Sequence, residues 1–221
     1  LGTRPEYKLE GTPLAINGIL YTTARTRRAV IALDGATGEL LWTHRYPEGK
    51  RGAHAPRQLS GRGLSYWTDG KGDDRILYVT PGYRLIALNA KNGEMIRSFG
   101  KDGVVDMRAD VADEKSLELT GMNSPGIVCG DTMMMGNTGY DFPVTKSEPP
   151  GHIRGYDVRT GEKKWVFHTI PQEGEPGNET WLEDSWRYTG NTNVWSWMSC
   201  DEETGWVYLP LATPTSDYYG G

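Results

Sequence analysis

The sequence predicts an all-β fold of repeated four-stranded sheets, arranged as the blades of a propeller. Three observations predict it. First, one stretch is written three times: Ala32 to Trp42, Ala87 to Arg97 and Gly155 to Trp165 share the pattern small-x-Asp/Asn-x-x-x-Gly-x-x-x-Trp, with Arg97 in the Trp place of the second copy. Second, each copy follows one apolar run and leads into another, as expected of two strands and the turn between them. Third, 29 glycines, eight Trp and twelve Tyr against only three Phe indicate a turn-rich chain with large amphipathic rings packed between sheets. Gly38 and Gly93 lie 55 residues apart, and Gly93 and Gly161 lie 68 apart. A strand-built period of about 40–50 residues is that of propeller blades, with insertions supplying the excess.

Each part of the repeat has a physical task. The Asp or Asn bonds backbone N–H groups of a tight turn, and the Gly tolerates positive φ there. The Trp anchors the strand that follows. In chain order, the first blade (roughly 12–46) comprises Thr12 to Ala15, an Asn17-Gly18 hairpin turn, Ile19 to Thr22, Val30 to Leu33 and Leu40 to His44. Pro47 to Gly61 is polar and basic and is expected as a loop. The second blade (63–100) takes Gly63 to Trp67, Ile76 to Val79, Leu85 to Leu88 and Met95 to Phe99 as its strands. Charged Lys101 to Thr120 is expected as an insertion with a short helix. The third blade (124–170) has Gly126 to Val128, Thr132 to Met135, a long loop from Asn137 to Gly151, Ile153 to Asp157 and Trp165 to His168. A Gly/Pro/Glu-rich loop runs from Pro171 to about Glu183. The fourth blade (193–221) begins with Asn193 to Met198, turns at Asp201 to Gly205, continues through Trp206 to Leu209 and is incomplete. Trp42 and Trp165 are expected to be buried between neighbouring sheets.

Composition sets bounds on function. The net charge of −5 and the lack of a long basic run argue against nucleic acid, and Arg25, Arg27 and Arg28 form only a local, solvated cluster. No apolar stretch reaches the length of a membrane span. Cys129 and Cys200 are distant and lack metal spacing, and the four histidines show no zinc pattern. The start at Leu1 and the Gly220-Gly221 end lead us to expect a piece of a longer chain.

The repeats and the long inter-blade loops resemble the pyrroloquinoline-quinone (PQQ) dependent dehydrogenases, and most closely their glucose-dehydrogenase-like branch. That branch is met through Glu148-Pro149-Pro150-Gly151-His152-Ile153-Arg154-Gly155-Tyr156-Asp157 and Thr215-Ser216-Asp217-Tyr218-Tyr219-Gly220-Gly221. The resemblance implies an eight-bladed quinoprotein propeller of which about three and a half blades are present. It also implies a periplasmic enzyme that oxidises an alcohol or aldose with PQQ and Ca²⁺ and passes electrons to ubiquinone or a cytochrome c.

Several motifs carry site residues by this resemblance. Arg62-Gly63-Leu64-Ser65-Tyr66 matches the stretch whose Arg pairs with a PQQ carboxylate, and a planar guanidinium suits a carboxylate bidentately. Asn193-Val194-Trp195 matches the Asn-x-Trp whose ring stacks on one face of PQQ, and Trp195 rather than Trp197 takes that place. Gly136 to Phe142 aligns with the calcium-binding loop: Asp141 stands for the metal carboxylate and Thr138 for a PQQ-bonding hydroxyl, in keeping with calcium's preference for oxygen. Asn123, in Asn123-Ser124-Pro125, adds a polar contact. Thr213 stands where alcohol-oxidising members have an Asn metal ligand. Ala55 to Ser60 lacks the paired cysteines of that branch, and Gln58 occupies the place of a glucose-branch His that covers the other PQQ face.

The residues alone leave structural roles open: Arg62 as a surface ion-pair partner, Trp195 as a core ring, Asp141 as a turn residue. The family's base is expected beyond Gly221, so no catalytic residue is assigned; Asp184 and Asp217 are unsupported candidates, and these 221 residues alone are expected to be inactive. The alternative reading is a cofactor-free scaffold propeller, of the outer-membrane assembly lipoprotein kind. Joint presence of Arg62, Asp141 and Trp195 separates the two readings.

Overall fold

A computed structural model describes residues 11–24, 29–56, 62–110, 120–122, 124–137 and 147–214. Within them lie three four-stranded antiparallel sheets and a hairpin, met in sequence order. The first sheet is β1 (Leu14–Ile16), β2 (Ile19–Ala24), β3 (Ala29–Asp34) and β4 (Leu40–Arg45), side by side in that order. A short helix, α1 (Gly49–Ala53), leads to β5 (Ser65–Thr68), β6 (Asp74–Val79), β7 (Arg84–Asn89) and β8 (Val104–Asp106). The third sheet is β9 (Ile127–Cys129), β10 (Thr132–Met135), β11 (Ile153–Asp157) and β12 (Lys163–Phe167). The hairpin pairs β13 (Ser199–Asp201) with β14 (Trp206–Tyr208). Consecutive meanders stacked face to face are propeller blades.

The stacking is visible in single strands. Along β7, Leu85 and Ala87 join a core with Met133, Met135 and Tyr156 of the third sheet, while Ile86 and Leu88 join Tyr21, Val30 and Trp42 of the first. Successive side chains alternate faces, so a strand covered on both sides reads as the unbroken apolar run Leu85-Ile86-Ala87-Leu88. Along β10, Met133 and Met135 face the second sheet, whereas Met134 joins Ile153, Val194 and Met198 towards the hairpin.

The repeated turn has one geometry three times. Gly38, Gly93 and Gly161 have φ of 75°, 73° and 74°. In each copy the Gly N–H donates to the carbonyl of the Asp or Asn four residues earlier, at 2.8–2.9 Å. The Asp34 carboxylate accepts from the N–H groups of Ala36 and Thr37, and Asp157 does the same for Arg159 and Thr160. The small residue opening the pattern lies opposite the Trp: Ala32 pairs with Trp42 and Gly155 with Trp165. Asp201 and Gly205 build the same turn in the hairpin, with Gly205 at φ 72°.

Trp42 joins the first two blades. Its indole N–H donates to the Ala90 carbonyl at 3.0 Å, and its ring covers Gly93, where an added Cβ would come within 2.5 Å. The second blade, which has Arg97 in the Trp place, divides this work. Arg75 donates to the carbonyl of Val158, the counterpart of Ala90, at 3.0 Å, while Phe99 and Val105 pack over Gly161.

That substitution explains one departure from expectation. The fourth strand of the second blade is not Met95 to Phe99. Met95 makes a bridge to Leu88, the chain leaves the sheet to bury Phe99, turns through Asp102 and Gly103 at positive φ, and returns as β8. Part of the stretch expected as an insertion is thus strand, followed by a 3₁₀ turn at Met107–Asp110. Pro47 to Gly61 is likewise not all loop, because it holds α1. The Pro171 to Glu183 region contains 3₁₀ turns at Asn178–Thr180 and Leu182–Arg187. Asn193 to Met198 is an irregular approach to β13, not a strand. Trp42 is 9% exposed as expected, but Trp165 is 39% exposed. Trp42 is covered by the turn after the next blade's third strand, and the described residues of the fourth blade, which form two strands, include no such turn beside Trp165. Arg25, Arg27 and Arg28 lie outside the described residues.

Candidate functional site

The candidate site forms where chain segments enter the blades. Arg62 lies three residues before β5. Its carbonyl accepts from the Thr12 N–H at 2.6 Å, and Thr12 and Gly63 form a parallel bridge, which pins this segment to the start of the first blade. Gly63 sits where a side chain would be tight: a Cβ would lie 3.2 Å from both Pro125 and the Thr12 carbonyl.

Asn193, Val194 and Trp195 enter from the fourth blade. Their stretch is held on both sides: Gly151 N–H donates to Asn191 O at 2.7 Å, Thr192 N–H to Thr213 O at 3.1 Å, and Ala212 N–H to Asn193 O at 2.9 Å. Gly151 is required by closeness, since its Cβ would fall 2.3 Å from Asn193 Cα. Asn191 and the β-branched Thr192 have φ of 55° and 49°, a conformation costly for Thr and of the kind found where structure is organised for function. Asn193 and Val194 are buried, yet Trp195 is 51% exposed. Its carbonyl accepts from the buried Ser124 hydroxyl.

These segments, distant in sequence, meet. The Arg62 guanidinium carbon lies 5.9 Å from the centre of the Trp195 ring, within cation–π range. Trp197 lies instead against Gly63. Beside them a cleft of about 220 Å³ opens between the blades, lined by Leu64, Tyr66, Pro125, Ile127 and Trp197. Thr213 is exposed next to Thr192.

Asn137 roots the loop of the third blade. It is 2% exposed, its amide donates to Pro150 O at 3.1 Å, and its Oδ1 is buried with no hydrogen-bond partner among the described residues. Gln58, Asn123, Thr138, Asp141 and Asp217 lie outside the described residues. Asp184 is exposed, 3.6 Å from Arg187, and has no link to this site. Among the described residues no group of three or more His, Cys, Asp or Glu gathers to hold a metal.

Three features were not read from the sequence. Cys129 and Cys200 form a disulfide between β9 and β13; Cys129 ends β9 and Cys200 lies one residue before the end of β13, so aligning those neighbouring strands would have shown their closeness. His152 and His168 stack edge to face, with ring centres 4.6 Å apart, and His168 Nδ1 lies 2.7 Å from Glu175 Oε1. Burial, with His168 adding to it, lowers the His152 pKa from 6.5 to about 4. Third, the Pro81-Gly82-Tyr83 turn reaches the third blade through the Tyr83 hydroxyl, which donates to the carbonyl of Gly136, next to Asn137.

The family model of the PQQ-type glucose/ethanol/alcohol dehydrogenase β-propeller domain matches residues 2–221. The chain belongs to this family. It is 32% identical over 224 residues to the quinoprotein glucose dehydrogenase of Escherichia coli K12, covering 96% of this chain and 27% of that protein. It is 31% identical over 218 residues to the dehydrogenase subunit of the alcohol dehydrogenase (quinone) of Gluconobacter oxydans, covering 90% and 26%. Among solved structures, the quinohemoprotein alcohol dehydrogenase ADHIIG of Pseudomonas putida HK5 superposes with a TM-score of 0.73 at 26% identity, over 93% of this chain and 28% of that one. The Comamonas testosteroni quinohemoprotein alcohol dehydrogenase, with a TM-score of 0.68 and 23% identity over 94% and 30%, shares the fold. The chain spans about a quarter of the length of the curated relatives it matches.

Proposed function

We propose that this chain is the cofactor-holding part of a PQQ-dependent dehydrogenase that oxidises an alcohol or an aldose. The observation that carries the reading is the meeting of Arg62 with the half-exposed ring of Trp195. A flat, carboxylate-bearing cofactor needs both a planar cation and an aromatic platform, and these residues are that donor set. Asn137 Oδ1, buried and without a hydrogen-bond partner among the described residues, offers an oxygen of the kind a hard cation or a donor takes.

PQQ held with Ca²⁺ supplies the acceptor for hydride leaving the substrate's carbinol carbon. The protein's part is placement. Arg62 offers paired N–H donors to a carboxylate and fixes its direction. Trp195 presents a ring face, and Ser124 and the 149–151 and 212–214 segments keep its backbone from moving. Asp141, with Thr138 and Thr213, would furnish oxygen atoms for the metal and cofactor; Asn123, Asn193 and Gln58 would complete the polar surround. No residue of this chain is assigned as the base.

The same reading assigns a periplasmic site of action and a quinone or cytochrome as electron acceptor. The Cys129–Cys200 disulfide suits an oxidising compartment. The test is to prepare the full-length apoprotein, add PQQ and Ca²⁺, and follow dye reduction with primary alcohols and aldoses. Turnover that requires both additions is expected. Absence of turnover with every substrate, together with an unchanged PQQ spectrum, would support the scaffold alternative instead.

A further inference from the structure

We propose that the turn between β6 and β7, centred on Tyr83, is a positioning hub that sets the arms of the cofactor site relative to one another. This rests on the reading above.

The turn is gripped from one side by α1 and the residue before it. Glu48, its side chain 2% exposed, accepts from Thr80 Oγ1 at 2.5 Å, Gly82 N–H at 2.8 Å and Arg84 at 2.8 Å. Arg51 donates through Nε to the Gly82 carbonyl at 2.6 Å and bidentately to Asp106 at 2.6 Å. Asp106 is held below its ordinary pKa chiefly by that Arg51 contact.

On its other side the turn reaches the third blade. Tyr83 is fully buried with φ of 62°, and its hydroxyl donates to the Gly136 carbonyl at 2.9 Å. Gly136 precedes Asn137, the root of the loop. Gly136 also lies against Val194, where a Cβ would come 2.8 Å from the Val194 carbonyl, and Val194 joins Asn193 to Trp195. One series of contacts therefore runs from Arg51 through Gly82 and Tyr83 to Gly136 and Val194. It ties α1 to the segments that bear Asn137 and Trp195. A bulky residue in the left-handed region is costly and persists where its surroundings over-determine it. Core packing alone needs neither that backbone nor the hydroxyl.

Tyr83→Phe in the full-length apoprotein removes only the hydroxyl. The matched control is Tyr21→Phe, which removes another buried Tyr-to-carbonyl bond, to Ala90 at 3.2 Å, beside the Trp42 docking contact. PQQ affinity is read by equilibrium dialysis at fixed Ca²⁺, then Ca²⁺ half-saturation at fixed PQQ. Loss of one net hydrogen bond corresponds to a change of roughly two- to tenfold. We expect Tyr83→Phe to weaken either or both by that factor and Tyr21→Phe to leave both near wild type, with similar losses of thermal stability in the two variants. Equal affinities in the two variants would overturn the proposal while leaving the cofactor reading intact. Failure of the wild type to bind PQQ would overturn both. A second measurement needs no variant: hydrogen exchange of peptides covering 79–85, 133–137 and 191–197, with and without PQQ and Ca²⁺. Protection gained together supports the hub; protection at 191–197 without any at 79–85 contradicts it.

Discussion

Trp42 donates its indole N–H to the Ala90 carbonyl at 3.0 Å while its ring occupies the space a side chain at Gly93 would need. One contact thus fixes both the distance and the register between two blades. The small-x-Asp-x-x-x-Gly-x-x-x-Trp repeat is therefore a docking device as much as a turn: its Gly serves the preceding blade's Trp as well as its own φ.

Gly93→Ala should destabilise the full-length protein more than Gly38→Ala. Both residues have positive φ, but a Cβ at Gly38 meets nothing within 4 Å, whereas at Gly93 it meets Trp42. Left-handed strain costs about 1–2 kcal/mol at either site, and overpacking adds about 1–3 kcal/mol at Gly93 alone. Thermal or denaturant unfolding of the two variants measures the difference. Equal losses would show that the Trp42 contact does not constrain Gly93.

The repeat made most of this fold legible. Alternation and turn residues located the strands around Asn17-Gly18, Asp34 and Asp157, and the double-sided burial of β7 was present in its unbroken apolar run. Arg97 was legible as a departure, but its consequence was not. The replacement comes from Arg75, Phe99 and Val105, which only the stacked sheets bring to Gly161. Trp165 misled because a Trp looks the same in sequence whether or not a partner turn stands beside it. At the candidate site, Arg62 and Trp195 were singled out by motifs, since each motif is local, and the structure brings the two side chains together. Tyr83 could not, because its significance lies in a left-handed backbone and a carbonyl from another blade.

The disulfide joins the first strands of two neighbouring blades across a sequence separation of 71 residues. Replacing both cysteines by Ala should lower stability by about 2–4 kcal/mol through greater freedom of the unfolded chain. Unfolding midpoints of the double variant and the wild type, both without reductant, provide the check. An unchanged midpoint would remove the disulfide from the account of stability.

Acid should loosen the segment around His152. Burial and the neighbouring His168 and Arg154 depress its folded-state pKa from 6.5 to about 4, and its Nδ1 accepts from the Thr169 N–H at 3.3 Å. The unfolded state therefore binds the extra proton first. The contribution is complete above pH ~6.5, is lost as pH falls towards ~4, and amounts to about 3 kcal/mol over that window. His152→Gln in the full-length protein should flatten the fall in unfolding midpoint between pH 6.5 and 4. Carboxylates such as Asp106, depressed by its Arg51 contact, lose their contribution at lower pH. Parallel wild-type and variant curves would exclude His152 as the group responsible.

The proposed function seats the cofactor on Arg62 and Trp195. The most direct measurement is the PQQ dissociation constant of the full-length apoprotein by equilibrium dialysis, for wild type, Arg62→Lys and Trp195→Ala. Lys keeps the charge but loses the planar fork, and Ala removes the ring; each should weaken PQQ by about tenfold or more. The thermal stability of the apoprotein should change little for Trp195→Ala, because that ring is half exposed. Wild-type affinity in both variants would place the cofactor elsewhere and contradict the site described here.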